Sequence, residues 1–168
     1  MIFIFIVFTF LFYIGQFIER LSSRYIAYLF NGILFIFLAY WFTSYTNNSD
    51  WNMYYYFFKY EDDRTDPVFY WLTTIFKKLY LDYTDLYRLH ILLILSLYFF
   101  LISKFTKNIF YIFLAYLILD NVHMVNQIRY YLGYPILMSG FYFLFIRKKY
   151  LLSIALLIFA LLCHSGLA

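Results

Sequence analysis

Three ionisable residues stand at or inside long apolar runs of this sequence. Asp50 follows the second run, Arg129 precedes the fifth, and His164 lies within the last. Carboxylate and imidazole groups can accept protons, and a guanidinium pairs with anionic oxygens through several N–H donors. Because a charged group at membrane depth is costly, each of the three is a candidate functional residue.

Each candidate also has a structural interpretation, and the sequence leaves both open. Asp50 can be a helix cap and nothing more, with its side-chain oxygens accepting hydrogen bonds from unpaired backbone N–H groups. Arg129 can extend to the outer headgroups, as arginines near helix ends commonly do. His164 can simply hydrogen-bond a neighbouring helix.

Metal and cofactor chemistry have little support in the sequence. No two His, Cys or carboxylate residues show ligand spacing on one helix, so we predict no metal site. Glycine-rich phosphate loops are absent, and no cofactor is expected. We interpret the lone Cys163 as a small apolar residue, and His90 and His123 as structural or interfacial.

The elements that carry the candidates are predicted to be membrane helices. Of the 168 residues, 65% are apolar and 13% are charged, whereas a soluble domain is about half apolar and a quarter charged. So few charges cannot cover so much apolar surface in water. A single cysteine excludes a disulfide scaffold, and the many aromatic residues exclude a disordered chain.

A spanning helix needs roughly 20 mostly apolar residues, and six runs approach this length. We therefore predict an all-α membrane protein, a polytopic bundle of six transmembrane helices forming a single domain over residues 1–168. The six predicted spans cover residues 2–17, 25–43, 89–102, 109–119, 131–146 and 150 onward.

The charges of the connections predict an orientation. The connections after spans one, three and five carry net charges of +1, +2 and +3. Residues 44–88, after span two, carry five basic and seven acidic residues, and the connection after span four is neutral. The positive-inside rule then places the N-terminus outside, with Asp50, Arg129 and His164 toward the outer surface. Because the basic residues lie at the ends of apolar runs, nucleic acid is not an expected partner.

The long outer connection, residues 44–88, has a pattern of its own. Residues 47–50 are typical of a helix-starting cap, and Pro67 suits the first turn of another helix. Apolar and polar residues interleave after Pro67, which predicts an amphipathic segment lying at the membrane interface.

Four short motifs follow one another in a fixed order from residue 40 to the C-terminus. They are Asp50-Trp51 with Tyr54 and Phe57, Asp66-Pro67-Val68-Phe69, Asn126-Gln127-Ile128-Arg129, and His164-Ser165. This set resembles the EpsG family, multi-spanning proteins of bacterial exopolysaccharide and capsule synthesis that are similar to Wzy-type polymerases. The family usually has a glutamate before the proline, where this chain has Asp66. Family members are also longer, so we expect this chain to be the front part of a larger protein.

The resemblance implies glycosyl transfer between repeat units carried on polyprenyl diphosphate, at the outer face of the bacterial cytoplasmic membrane. An acceptor hydroxyl displaces the lipid diphosphate, with Asp50 or His164 as the base and Arg129 as the diphosphate clamp. The bilayer and other membrane proteins of polysaccharide synthesis are the implied partners. We predict that the substrate is bound by Trp51, Tyr54, Asn126, Gln127 and Ser165. The resemblance itself carries a role only to Trp51, Asn126 and Ser165 of this set.

Two other classes of function stay open. A flippase or export component would bind the same lipid-linked oligosaccharide without making a bond. A membrane acyltransferase that modifies polysaccharide would use His164 as the base for acyl transfer. Because the candidate residues lie toward the outer edge, outer-face chemistry is favoured over both.

Overall fold

The computed structural model describes residues 13–14, 24–44, 48–60, 66–105 and 126–167. This part of the chain is helical and contains no strand, which confirms the all-helical prediction. A π-helical segment, Tyr142–Ile146, follows the fifth α-helix, and a 3₁₀ turn, Ser165–Leu167, follows the sixth. The α-helices are α1 (Arg24–Thr43), α2 (Trp51–Tyr60), α3 (Pro67–Lys78), α4 (Tyr83–Phe105), α5 (Ile128–Phe141) and α6 (Tyr150–Cys163).

Four of the predicted spans can be compared with these helices. The second, third, fifth and sixth correspond to α1, α4, α5 with its π-helical extension, and α6. Within the described ranges α4 alone is long and apolar enough to cross a membrane, and α6 is a shorter apolar helix. The predicted spans 2–17 and 109–119 lie outside the described residues, apart from 13–14, so the six-span arrangement stays a prediction.

The start of α4 shows how local chemistry sets a helix boundary. The helix begins at Tyr83, earlier than the apolar run that starts at Leu89. The backbone N–H of Asp85 donates to Asp82 Oδ1 over 3.0 Å, and the N–H of Asp82 donates to Asp85 Oδ2 over 3.3 Å. This reciprocal capping satisfies two amide groups that the helix leaves unpaired, so it extends α4 beyond its apolar core.

Aromatic contacts hold α2 against the first turns of α4. The Trp51 ring meets Tyr83 and Tyr87 edge-on, with centroids 4.6 and 5.1 Å apart. The Tyr87 hydroxyl lies 3.5 Å from the carbonyl oxygen of Phe42, near the end of α1. The aromatic contacts therefore hold α2 against α4, and the Tyr87 hydroxyl links α4 to the end of α1.

Two glycines of α5 allow α6 to approach closely. A Cβ at Gly133 would lie 3.0 Å from the carbonyl oxygen of Ala160 and 3.1 Å from Cβ of Cys163. One heptad later, the carbonyl oxygen of Gly140 accepts a 2.9 Å hydrogen bond from Ser153 Oγ. Small residues that bring backbones together are typical of packed membrane helices. The contact places the C-terminal end of α6 beside the first turns of α5.

One face of α6 remains apolar and uncovered. Leu151, Ile154 and Ile158 follow one another at helical spacing, and they are 87%, 52% and 54% exposed. Adjacent large apolar side chains on an exposed face are typical of surfaces that contact lipid or protein.

Candidate functional site

A buried carboxylate connects three distant segments of the chain. Asp66, which is 1% exposed, lies directly before α3. Its Oδ2 atom is 2.8 Å from Nη1 of Arg129 and 2.9 Å from Nδ1 of His164. Asp66 and His164 are 98 positions apart in the sequence, so only tertiary packing brings them together. We call these three residues the buried triad.

The local backbone explains why the Asp66 side chain is available for this contact. Proline at the first helical position disfavours a helical residue before it, and Asp66 has φ −119° and ψ 86°. Its carbonyl oxygen accepts the hydrogen bond from Tyr70 that opens α3. Its carboxylate makes no capping bond to α3, because both of its described ion pairs lie across the helix interface.

Arg129 lies in the first turn of α5 inside an aromatic enclosure. Its Cζ atom is 4.9 Å from the centroid of the Tyr54 ring and 5.5 Å from those of Phe57 and Phe69. The ring faces attract the cation, and Asp66 balances its charge. Arg129 is only 9% exposed, so its guanidinium does not reach outward toward headgroups.

Tyr54 contributes its hydroxyl as well as its ring to this enclosure. Burial raises the pKa of Tyr54, and the Arg129 guanidinium, which the hydroxyl contacts, offsets part of that rise. The phenol is therefore neutral at physiological pH, and its hydroxyl oxygen can accept from the guanidinium. Tyr54 itself is buried, so its ring supports Arg129 in this arrangement.

His164 is the most exposed member of the buried triad. Helix α6 ends at Cys163, and His164 is extended, with φ −157° and ψ 120°. The prediction that His164 lies inside the last helix is therefore wrong, and the extended backbone is what turns the imidazole toward Asp66. The imidazole is 29% exposed, and the Tyr130 ring meets it edge-on with centroids 5.8 Å apart.

Asp50, the third predicted catalytic residue, lies apart from the triad. Its carboxylate accepts a 3.1 Å hydrogen bond from the Ser49 hydroxyl, and its carbonyl oxygen accepts one from the N–H of Tyr54. In the part of the chain that the structure describes, Asp50 has no ion pair with Arg129 or His164.

The remaining predicted substrate-binding residues have no described contact with the triad. Trp51 is half-buried against α4, Asn126 is half-buried before α5, and Gln127 is exposed at the start of α5. Ser165 opens the 3₁₀ turn that follows His164. Their substrate contacts, like the one assigned to Tyr54, stay predictions.

Sequence reasoning did not select Asp66 as a site residue. It is one of four acidic residues within 61–66, and composition does not distinguish them. The feature that distinguishes it is the following Pro67, which marks the start of a helix and disfavours a helical conformation at Asp66. Among the described residues, no group of three or more His, Cys, Asp or Glu residues could hold a metal ion.

Comparison with known proteins gives one match. The sequence model of the EpsG family matches residues 28–167, a range that includes all three members of the buried triad. Comparisons with curated proteins and with solved structures give no match. The match confirms the resemblance that the four sequence motifs indicated.

Proposed function

The chain belongs to the EpsG family, and we propose that it acts in a membrane-embedded polymerase that joins lipid-linked repeat units into exopolysaccharide or capsule. The family is one of exopolysaccharide-related membrane proteins. The proposed reaction transfers a glycan from polyprenyl diphosphate to the hydroxyl of an acceptor glycan. We place it at the outer face of the bacterial cytoplasmic membrane, as the charge pattern predicts.

The observation that carries this proposal is the shared Asp66 oxygen between Arg129 and His164. Glycosyl transfer from a diphosphate needs a group that takes a proton and positive charge near the departing anion. An imidazole beside a buried ion pair supplies both, because it becomes cationic when it accepts the proton. Flipping a lipid-linked glycan forms no glycosidic bond and removes no hydroxyl proton, and for this reason we favour bond formation over transport.

The burial of Arg129 modifies its predicted role as a diphosphate clamp. Its guanidinium is enclosed by aromatic rings and paired with Asp66, and a buried charge is stable only when it is paired. We therefore propose that Arg129 acts from the buried side of the site. It holds Asp66 in place and contributes positive charge near the diphosphate.

The function is tested in the native host by replacing the gene with an Arg129→Lys variant. Lysine keeps the charge but loses the planar fork, so we expect polymer to be lost and single lipid-linked repeats to accumulate on the outer leaflet. Arg88→Lys is the matched control, because Arg88 lies in an exposed pair with Asp85, and it should leave polymer unchanged. Membrane protein levels are measured in both strains.

Each alternative outcome has a distinct meaning. Accumulation on the inner leaflet would indicate a flippase, and full-length polymer without acyl groups would indicate an acyltransferase. Polymer of normal length with its normal acyl groups in the Arg129→Lys strain would refute the role of the triad.

The proposed orientation has its own test. Tyr80 and Lys148 are exposed turn residues with positive φ of 59° and 51°, on opposite sides in the predicted topology. A membrane-impermeant thiol reagent should label Tyr80→Cys in intact cells and should not label Lys148→Cys. The native Cys163 is buried, so background labelling is low. The reverse pattern would overturn the orientation.

A further inference from the structure

We infer that His164 accepts the acceptor hydroxyl's proton through Nε2, that Asp66 is its positioning residue, and that Gly166 keeps the approach to Nε2 open. This inference rests on the proposed glycosyl transfer and deepens it. It resolves the alternative between Asp50 and His164 that the sequence leaves open, and it assigns roles to two residues that the sequence did not select.

The first step is the tautomer of His164. The Oδ2 atom of Asp66 forms an ion pair with Nη1 of Arg129 over 2.8 Å, so it acts as a carboxylate oxygen. The same oxygen lies 2.9 Å from Nδ1 of His164, and Nδ1 must therefore donate. In a neutral imidazole the hydrogen on Nδ1 leaves the lone pair on Nε2. The contact with Asp66 thus prepares Nε2 as the proton acceptor.

The second step is access to Nε2. Among the described residues, Nε2 has no hydrogen-bond partner, and the side chain is 29% exposed. The backbone of Gly166 passes beside it. A Cβ on Gly166 would lie 3.0 Å from Nε2, 3.3 Å from Cδ2 and 3.8 Å from Cε1. Any side chain at this position would therefore crowd Nε2 before it crowded another atom of the ring.

The third step is the reason for glycine at position 166. Gly166 does not have a positive φ, so the 3₁₀ turn has a backbone conformation that residues with a side chain adopt readily. The turn itself would accept alanine. Among the described residues, what a side chain at position 166 would disturb is the space next to Nε2. We infer that the acceptor hydroxyl occupies this space.

Asp50 lacks these features. Its carboxylate accepts from the neighbouring Ser49 hydroxyl, and in the described part of the chain no second side chain orients it toward the triad. A base must be held within hydrogen-bond reach of the proton that it removes. Asp50 therefore has a structural role at the start of α2, where its carbonyl oxygen accepts from the N–H of Tyr54. His164 is the base.

In the proposed reaction, His164 takes the hydroxyl proton while the lipid diphosphate leaves. The acceptor hydroxyl oxygen forms a bond to the anomeric carbon, and the bond from that carbon to the diphosphate oxygen breaks with its electron pair on the diphosphate. The hydroxyl proton moves to Nε2, so His164 becomes an imidazolium. Its new positive charge offsets the charge that grows on the leaving diphosphate, and the proton then passes to water.

The base assignment is tested in membrane vesicles from the native host that contain the whole protein, supplied with lipid-diphosphate-linked repeat units. His164→Ala should lower the initial rate of polymer formation by about 100-fold or more. Added imidazole should raise the rate of the His164→Ala protein by about tenfold or more, because it replaces the missing ring. Asp50→Asn should retain most of the rate and should not respond to imidazole.

Failure of this inference is distinct from failure of the proposed function. Wild-type vesicles that form no polymer would refute the function. Wild-type vesicles that form polymer, together with an active His164→Ala protein or an inactive Asp50→Asn protein at normal levels, would refute the base assignment alone.

The positioning role of Asp66 needs a readout that a packing defect does not produce. Asp66→Asn should lower the rate by about 100-fold, and Asp66→Glu, which keeps the carboxylate, should recover part of it. Imidazole should fail to rescue the double variant His164→Ala/Asp66→Asn, since the added ring has no carboxylate to orient it. Equal rescue with and without Asp66 would show a merely structural role.

The role of Gly166 is tested against a matched glycine. Gly166→Ala should lower the rate by about tenfold, because a displaced or obstructed base costs strongly in rate, while protein levels stay normal. Gly32→Ala is the control, since a Cβ on Gly32 meets no atom of the described residues within 4 Å, and its rate should equal that of the wild type. A Gly166→Ala protein with the wild-type rate would refute the open approach to Nε2.

Discussion

Two aspartate–arginine pairs of this chain differ in everything except their residue types. Asp66 and Arg129 are 2.8 Å apart with side chains 2% and 10% exposed, and they join α3 to α5. Asp85 and Arg88 are 3.7 Å apart with side chains 40% and 53% exposed, and they lie on one turn of α4. Water screens the second pair, so it contributes little to stability. The first pair is shielded from water by burial, so each charge is stable only while its partner is present.

The two aspartates also use their carboxylates differently at helix starts. Asp85 accepts the N–H of Asp82 and forms part of the capping of α4. Asp66 stands directly before α3 but turns its carboxylate to Arg129 and His164. A cap stabilises one helix locally, whereas the buried contact fixes the relative positions of three segments. Burial, and not residue type, therefore distinguishes the site from the surface pair.

Breaking the buried pair should have the largest effect. Asp66→Ala leaves Arg129 charged and buried without its carboxylate, and we expect the free energy of unfolding to fall by about 3–5 kcal/mol. Thermal unfolding of the protein in detergent measures this. The double variant Asp66→Leu/Arg129→Met removes both charges and should recover much of the loss. A single variant as stable as the wild type would contradict the importance of the pair.

Separating α5 from α6 should have the next largest effect. Gly133→Ala places a methyl group 3.0 Å from the carbonyl oxygen of Ala160, so the helices must move apart at a cost of about 1–3 kcal/mol. Gly32→Ala is the control, because it adds helix propensity without a contact. Equal melting temperatures for the two variants would show that close packing does not hold His164 beside Arg129.

Removing one hydroxyl group should have a smaller effect. Tyr54→Phe keeps the ring over Arg129 but loses the hydroxyl contact, and we expect a loss of about 1 kcal/mol. Tyr54→Leu, which also removes the ring, should cost more. The order of melting temperatures should be wild type, Tyr54→Phe, Tyr54→Leu, and the reverse order of the two variants would contradict the enclosure.

The stability that Tyr54 contributes also depends on pH. Burial raises its folded pKa above the ordinary value of 10.0. Stability from this group is therefore complete below pH 10.0 and is lost as pH rises through the folded pKa. Tyr54→Phe cannot lose a proton, so the stability difference between it and the wild type should shrink at alkaline pH.

Breaking the surface pair should have the smallest effect. Arg88→Ala removes an exposed contact on α4, and we expect the free energy of unfolding to change by less than about 0.5 kcal/mol. The same melting measurement checks this. A loss comparable to that of Asp66→Ala would remove the distinction on which the comparison rests.

Much of the fold follows from short-range features of the sequence. The apolar runs predicted α1, α4, α5 and α6, and Pro67 predicted the start of α3. The end of α6 was missed because the apolar run to Cys163 resumes at Leu167, and Gly166, a local signal for a helix end, was not interpreted as one. The structure shows that the extended conformation of His164 accompanies its contact with Asp66.

The candidate site was predictable in part. Arg129 and His164 stood out because ionisable groups are rare in apolar runs, and the structure brings both to one carboxylate. Asp50 stood out for the same reason, yet it lies outside the triad. Asp66 is one of four neighbouring acidic residues, and the following Pro67 is the feature that distinguishes it in the sequence.

The sequence by itself determined the apolar, helical character of the chain and its family, because composition, helix periodicity and short motifs act over a few residues. The tertiary structure alone decided which aspartate meets Arg129 and His164. That choice depends on how closely α6 approaches α5 at Gly133, and on how the aromatic rings of α2 and α3 enclose the guanidinium. A buried charge is stable only beside a partner that the packing holds close to it. In this protein the packing holds Asp66 beside Arg129.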